Sequence, residues 1–144
     1  VTAAKRKGTE WETGIVRALG DIFRRRHGLE PRRVAQSGIL DTGDIHGISP
    51  FVGQAKNYAN LADGLRLGLE GAEIQRVRAG ESYGVAFVKR VRKAVAAGYA
   101  VMTIATFALV LLRLRRAEEL LKENAPAAWR LHIEQTAKDS EGRV

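Results

Sequence analysis

Nineteen consecutive uncharged residues, Ala94 to Leu112, decide what kind of chain this can be. The run is about long enough to span a bilayer and Lys93 and Arg113 flank it, so taken alone it has the form of a membrane helix. Three details argue for a globular reading instead. Gly98-Tyr99 is a turn signal, Tyr99 to Thr106 is rich in β-branched residues, and the apolar pattern continues beyond Arg113 as an amphipathic helix. A buried strand running into a helix satisfies all three. The first residues are basic with no apolar stretch behind them, which is unlike a secretory signal.

On that reading the 144 residues form one domain, large enough to bury a core without covalent staples. The expected domain is 1–123, opened by a basic arm at 1–7, with 124–144 a flexible tail holding at most a short helical piece around Trp129 to Ala137. The chain has no cysteine, and His27, His46 and His132 are scattered, which excludes a disulfide framework, a thiolate zinc site and a histidine metal motif. A cytoplasmic location and no membrane association are expected.

Thr9 to His27 reads as a helix, with Trp11, Ile15, Leu19, Ile22 and Phe23 on one side, stopped by Gly28 and barred by Pro31. Arg33 to Ser37 is a short strand candidate ahead of the loop Gly38 to Gly43. Gly43 to Gly47 and Phe51 to Lys56 then form two strands around the tight turn Ile48-Ser49-Pro50. Asn60, with Asp63 three residues on, starts a second helix that carries Leu61, Leu65, Leu69 and Ala72 and ends near Ala79-Gly80. Its Gly64, Gly68 and Gly71 cost about 1 kcal/mol each relative to alanine in an exposed helix, unless they admit a neighbouring strand or subunit. Strands at Tyr83 to Val91 and Tyr99 to Thr106 and a helix over Phe107 to Glu123 complete the order. The fold class is α/β (α+β), a mixed five-stranded sheet flanked by helices.

The formal charge of +8 is unevenly spread. Residues 1–33 hold nine Lys or Arg against four acids, whereas Asp41, Asp44, Asp63, Glu70 and Glu73 face only Lys56 and Arg66 across 41–73. An acidic pocket with basic flanks suits an enzyme that holds a cation and acts on a polyanion. The plainer alternative is a basic protein with a solvated positive face.

Within the acidic segment, Asp44, Gln54 and Lys56, with Glu12 upstream, are spaced like the metal-binding and water-activating set of a nuclease. Side chains two apart share a strand face, so Gln54 and Lys56 point the same way and the partner strand places Asp44 beside them. The cluster offers oxygen ligands to a hard cation and one ammonium to a hydroxide or phosphate oxygen. Each member has a plainer role. Glu12 can complete a capping box in Thr9-Glu10-Trp11-Glu12, Asp44 can be a turn residue, Lys56 a solvated strand end, and Ser37 a strand terminus rather than a phosphate contact. His46 reads first as a hydrogen-bonded strand histidine. Arg24, Arg25 and Arg26 can be a solvated helix end, and with Lys5, Arg6, Lys7, Arg32 and Arg33 they can form a phosphate-binding rim.

Arg6-Lys7-Gly8 followed by Glu12, Ser37 ahead of the acidic loop, Gly43-Asp44-Ile45 and Gln54-Ala55-Lys56 together resemble the PD-(D/E)XK nuclease superfamily. Within it the chain is similar to the archaeal-type Holliday junction resolvases and their phage relatives, over about residues 5–106. The resemblance implies a restriction-endonuclease-like core and a metal-dependent, structure-selective endodeoxyribonuclease that cuts four-way DNA junctions as a homodimer. It implies Mg²⁺, replaceable by Mn²⁺, held by Asp44, the Gln54 amide, the Ala55 carbonyl and Glu12, with Lys56 and Ser37 completing the catalytic set. Gly43 stands where the family usually has proline, and Gln54 where it has an acid, so the site carries one formal negative charge fewer. Two alternatives follow: a phage-type endonuclease or nickase on duplex or branched DNA, and a non-catalytic DNA-binding relative.

Overall fold

Thr2 caps the first helix, its hydroxyl accepting from Lys5 N–H, and α1 runs from Ala3 to Phe23. The basic segment expected as an arm is therefore the opening of α1, and the expected start at Thr9 lies two turns inside it. The computed structural model describes residues 1–35 and 40–141. The helix ends five residues before Gly28, with Arg24 left-handed (φ 49°) and its N–H on Gly20 O. Arg26 closes this end, donating from Nε to Phe23 O and from a terminal nitrogen to Ile22 O. Internal contacts divide the chain into two compact units, Val1–Thr103 and Ile104–Val144.

The first unit is a five-stranded mixed sheet between two helices. Its strands are β1 (Arg32–Arg33), β2 (Ile45–Ile48), β3 (Phe51–Lys56), β4 (Tyr83–Val88) and β5 (Tyr99–Val101), in the order β1-β2-β3-β4-β5. β3 and β4 are parallel and joined through α2 (Leu61–Ala79), while the other neighbours are antiparallel. The α+β class and the mixed sheet expected from the sequence are thus observed. β1 stops at Arg33 rather than running toward Ser37, which lies outside the described residues. β4 and β5 are shorter than read, because the partners of β4 run out opposite Val88, at Lys56 and Tyr99, and the helix after β5 begins already at Ile104.

Each sheet face buries one helix. Trp11 and Ile15 of α1 pack on Ile45, Ile48 and Val85, and Trp11 Nε1 donates to Phe87 O at 3.0 Å, so the indole is both buried and satisfied. Full burial of an apolar side chain of this kind stabilises by about 1.5–3 kcal/mol. On the opposite face, Ala72 of α2 meets Ala86 and Val88. The buried face of α2 is Gly64, Gly68, Ala72 and Gln75, not the leucine stripe expected, and Leu61 is exposed. The glycines admit the sheet: a Cβ on Gly68 would lie 3.0 Å from the Ala86 Cβ, and one on Gly71 3.3 Å from the Gln54 Cγ. Asn60 caps α2 through Asp63 N–H and left-handed Gly80 ends it, as the sequence implies.

In the second unit, α3 (Ile104–Asn124) and α4 (Pro126–Ser140) meet at Ala125, with proline in the first turn of α4. His132 Nε2 bonds to Glu118 Oε2 at 2.9 Å and ties the two helices together. The segment read as a tail is thus helical over more than Trp129 to Ala137. The apolar run from Ala94 splits into a turn at Val95–Ala97, β5 and the start of α3, and among the described residues no helix is long and apolar enough to cross a membrane.

Candidate functional site

The β2–β3 hairpin positions the site. Gly47 (φ +76°) faces the Glu30 backbone, where any side chain would collide, and Glu30 N–H donates to Gly47 O. Gly43 has φ +102°, which proline, fixed near −65°, cannot adopt. The glycine found here, where the resemblance would put proline, therefore suits this backbone. A Cβ there would also lie 2.7 Å from Val52 Cγ2.

Asp44 follows this turn and is clamped on both sides. Its N–H donates to Gly53 O (2.9 Å) and its carbonyl accepts from Val34 N–H (3.1 Å). Its side-chain Oδ2 accepts from Ala55 N–H at 2.8 Å. The residue is 9% exposed. Burial pushes its carboxyl above the ordinary aspartate range; the Ala55 N–H pulls it back, the charges of Glu12 and Asp41 push it further up, and Lys56 draws it down. Three of the expected site residues, Glu12, Ala55 and Lys56, therefore act on the carboxylate of a fourth, Asp44.

Gln54 joins them through strand register. Ile45 pairs with Gly53, which brings Asp44 beside Gln54 and Ala55. Val52, Gln54 and Lys56 alternate onto the α2 face, where Gly71 lies over Gln54 and Gly68 over the Lys56 stem, a Cβ on Gly68 falling 3.2 Å from the Lys56 Cγ. Gln54 is 6% exposed and its Oε1 has no hydrogen-bond partner among the described residues. Lys56 Nζ stands 5.8 Å from the Tyr58 ring centroid.

Glu12 does not form the capping box that the sequence allows. Because α1 starts at Ala3, Thr9 to Glu12 are helix interior and no capping box forms; Thr9 O instead accepts from the Thr13 hydroxyl. The Glu12 carboxylate takes a 2.9 Å ion pair from Arg33 Nε. His46 is the hydrogen-bonded strand histidine expected, with Nε2 donating to Thr42 O.

The expected phosphate rim falls into distinct settings. Lys5, Arg6 and Lys7 are exposed on the first turns of α1, Arg6 lying 3.8 Å from Glu10. Arg24 and Arg25 sit in left-handed backbone, Arg25 within 4.0 Å of Glu30. Arg26 is turned onto the α1 carbonyls, Arg33 onto Glu12, and Arg32 lies exposed on β1.

Two contributors escape the sequence reading. Asp41 accepts from Gly43 N–H through Oδ1 (2.9 Å), shaping the turn and adding charge beside Asp44; the Asp41-Thr42-Gly43 pattern is an Asx-turn signal that could have found it. Gln75, 5% exposed on α2, also carries an unpartnered Oε1. Its only signal is a polar residue three positions after buried Ala72.

Among the described residues no three His, Cys, Asp or Glu side chains converge as a metal cage. The donors gathered are one carboxylate and amide oxygens, a set that fits a hard cation of modest affinity. No family model, curated protein or solved structure matches the chain.

Proposed function

We propose that the chain is a divalent-metal phosphodiesterase acting on DNA, on a restriction-endonuclease-like core, with four-way junctions as the substrate and a homodimer as the working form. The observation that carries this reading is the buried, unpartnered Gln54 Oε1 beside a carboxylate whose burial favours protonation. An orphaned buried acceptor costs about 1–3 kcal/mol. A Mg²⁺ or Mn²⁺ ion relieves both strains at once, since it gives the amide a partner and holds the carboxylate ionised.

Asp44, Gln54 and the Ala55 carbonyl would hold the cation, with Glu12 available to it once freed from Arg33. A bound divalent cation supplies Lewis acidity to the scissile phosphate and its leaving oxygen. Lys56 orients the attacking water and offsets charge that develops on the phosphate. Lys5, Arg6, Lys7, Arg24 and Arg32 bind flanking phosphates, and two such rims in a dimer match the two-fold symmetry of a junction.

A second reading, a non-catalytic DNA-binding protein on the same scaffold, is favoured by one observation, the engagement of Glu12 by Arg33. Cleavage of a mobile four-way junction and a linear duplex, in Mg²⁺ and in EDTA, separates the two. Mg²⁺-dependent cuts near the junction centre support the enzyme; binding without cuts leaves only the second reading.

A further inference from the structure

Gln54 and Gln75 are the two described side chains whose buried oxygens have no hydrogen-bond partner. They lie on facing elements of one layer. Gly71 covers Gln54, with 3.8 Å from its would-be Cβ to Oε1, and Gln75 follows Gly71 by one turn on the same face of α2. The Gln75 Cβ stands 3.6 Å from the would-be Cβ of Gly43, the residue before Asp44. Two residues with orphaned amide oxygens thus lie beside the Gly43-Asp44 turn, one on the strand side and one on the helix side.

A structural role explains this poorly. A buried glutamine whose oxygen bonds nothing weakens the fold relative to an apolar residue of the same shape, and the rest of the α2 face is glycine and alanine. The glycines also bring α2 close to the strand that holds Gln54.

Resting on the metal-site reading above, we infer that Gln75 is a further member of the cation site, presenting its amide oxygen to the ion or to a water the ion carries. The donor set is then one carboxylate with two neutral amides, and the pocket recognises a hard divalent cation through polarity more than through charge. Gln75 is a positioning residue when it acts through water and a ligand when it acts directly, and both give the same dependence of affinity on this side chain.

Mn²⁺ alone is the probe, titrated without DNA and followed by electron paramagnetic resonance of the free ion. Gln75→Met keeps the volume and removes the orphaned oxygen, so the metal-free variant should melt no lower than wild type while binding Mn²⁺ at least about 10-fold more weakly. Gln75→Glu should bind more tightly than wild type. Unchanged Mn²⁺ affinity in both variants, with affinity lost in Asp44→Asn, overturns the role of Gln75 and leaves the metal site standing. No Mn²⁺ uptake by wild type, or equal uptake by Asp44→Asn, overturns the metal reading and this assignment with it.

Discussion

Arg33 on the edge strand holds the Glu12 carboxylate of α1 at 2.9 Å, with the arginine 41% and the glutamate 22% exposed. The pair joins a residue read as a metal ligand to one read as a phosphate contact, so each restrains the other. Binding of DNA to Arg33 would free Glu12 for the cation, and binding of a cation by Glu12 would free Arg33 for phosphate. Coupling between the two ligands follows from the shared ion pair.

Arg33→Gln tests the restraint. Without DNA it should tighten Mn²⁺ binding, because Glu12 is released, while DNA binding weakens by one phosphate contact. A half-exposed pair of this kind is worth about 0–1 kcal/mol, so the melting temperature should hardly move. Mn²⁺ affinity equal to wild type would remove Glu12 from the ion's surroundings.

Asp44 predicts a stability profile with a definite sign. Its carboxyl titrates above the ordinary range in the folded chain, so its contribution is fully present below the unfolded-state pKa and is lost as pH rises through the folded one. Metal-free Asp44→Asn, which keeps an oxygen for Ala55 N–H, should therefore be more stable than wild type near neutrality. The gap should close on acidification below about pH 4, the unperturbed aspartate value. Melting curves from pH 3 to 8 in EDTA measure this, and a variant less stable than wild type at pH 7 contradicts it. The same variant should lose Mg²⁺-dependent cleavage and keep junction binding.

Gln54 gives the opposite pairing of stability and function. Gln54→Leu removes the orphaned oxygen and should raise metal-free stability by up to about 1–3 kcal/mol, with cleavage abolished. Gln54→Glu should keep cleavage and lower the Mg²⁺ concentration needed. Equal cleavage by wild type and Gln54→Leu across a Mg²⁺ titration would exclude the amide from the site.

What the sequence made legible was local. The hairpin around Asp44, the Asn60 cap and the Gly80 stop depend on residues within a few positions of each other, and all three are observed. The Gly43-Asp44 and Gln54-Ala55-Lys56 segments are brought together because strand register follows from that hairpin. Three features were hidden by tertiary context. Lys5, Arg6 and Lys7 looked like a solvated arm because nothing apolar marks them, yet alanine, lysine and arginine sustain a helix once Thr2 caps it. The α2 face looked leucine-lined because a stripe search rewards large residues, whereas the sheet approaches along glycines. The β-branched residues after Val101 looked like strand but lead into and open α3.

The glycines of the two long helices should respond oppositely to alanine. A Cβ on Gly20 of α1 meets nothing within 4 Å, so Gly20→Ala should stabilise by about 0.5–1 kcal/mol through helix propensity. Gly68→Ala gains the same propensity but sets its Cβ 3.0 Å from the Ala86 Cβ, which the backbone fixes, so overpacking of about 1–3 kcal/mol outweighs the gain. Urea unfolding of both variants checks the sign, and stabilisation by Gly68→Ala would mean that α2 can move off the sheet.

The homodimer is expected to use the second unit. Ile104, Phe107, Leu109, Leu112, Leu120 and Leu131 are each more than half exposed on α3 and α4, and apolar surface of this extent on a helical hairpin is suited to a partner face. On the proposed function, a second copy would meet that need and bring two basic rims into one assembly, so that each could contact phosphates on a different arm of one junction. Charge alone would bind any duplex and would weaken in proportion for every DNA as salt rises. Preference for the junction should therefore persist when salt lowers both affinities, and Phe107→Asp with Leu112→Asp should yield monomers that bind linear and branched DNA alike. Sedimentation and competition binding read both results. A wild-type monomer, or equal affinity for the two DNA forms at physiological salt, would remove the junction from the proposal while leaving the Asp44 site to be judged on its own titrations.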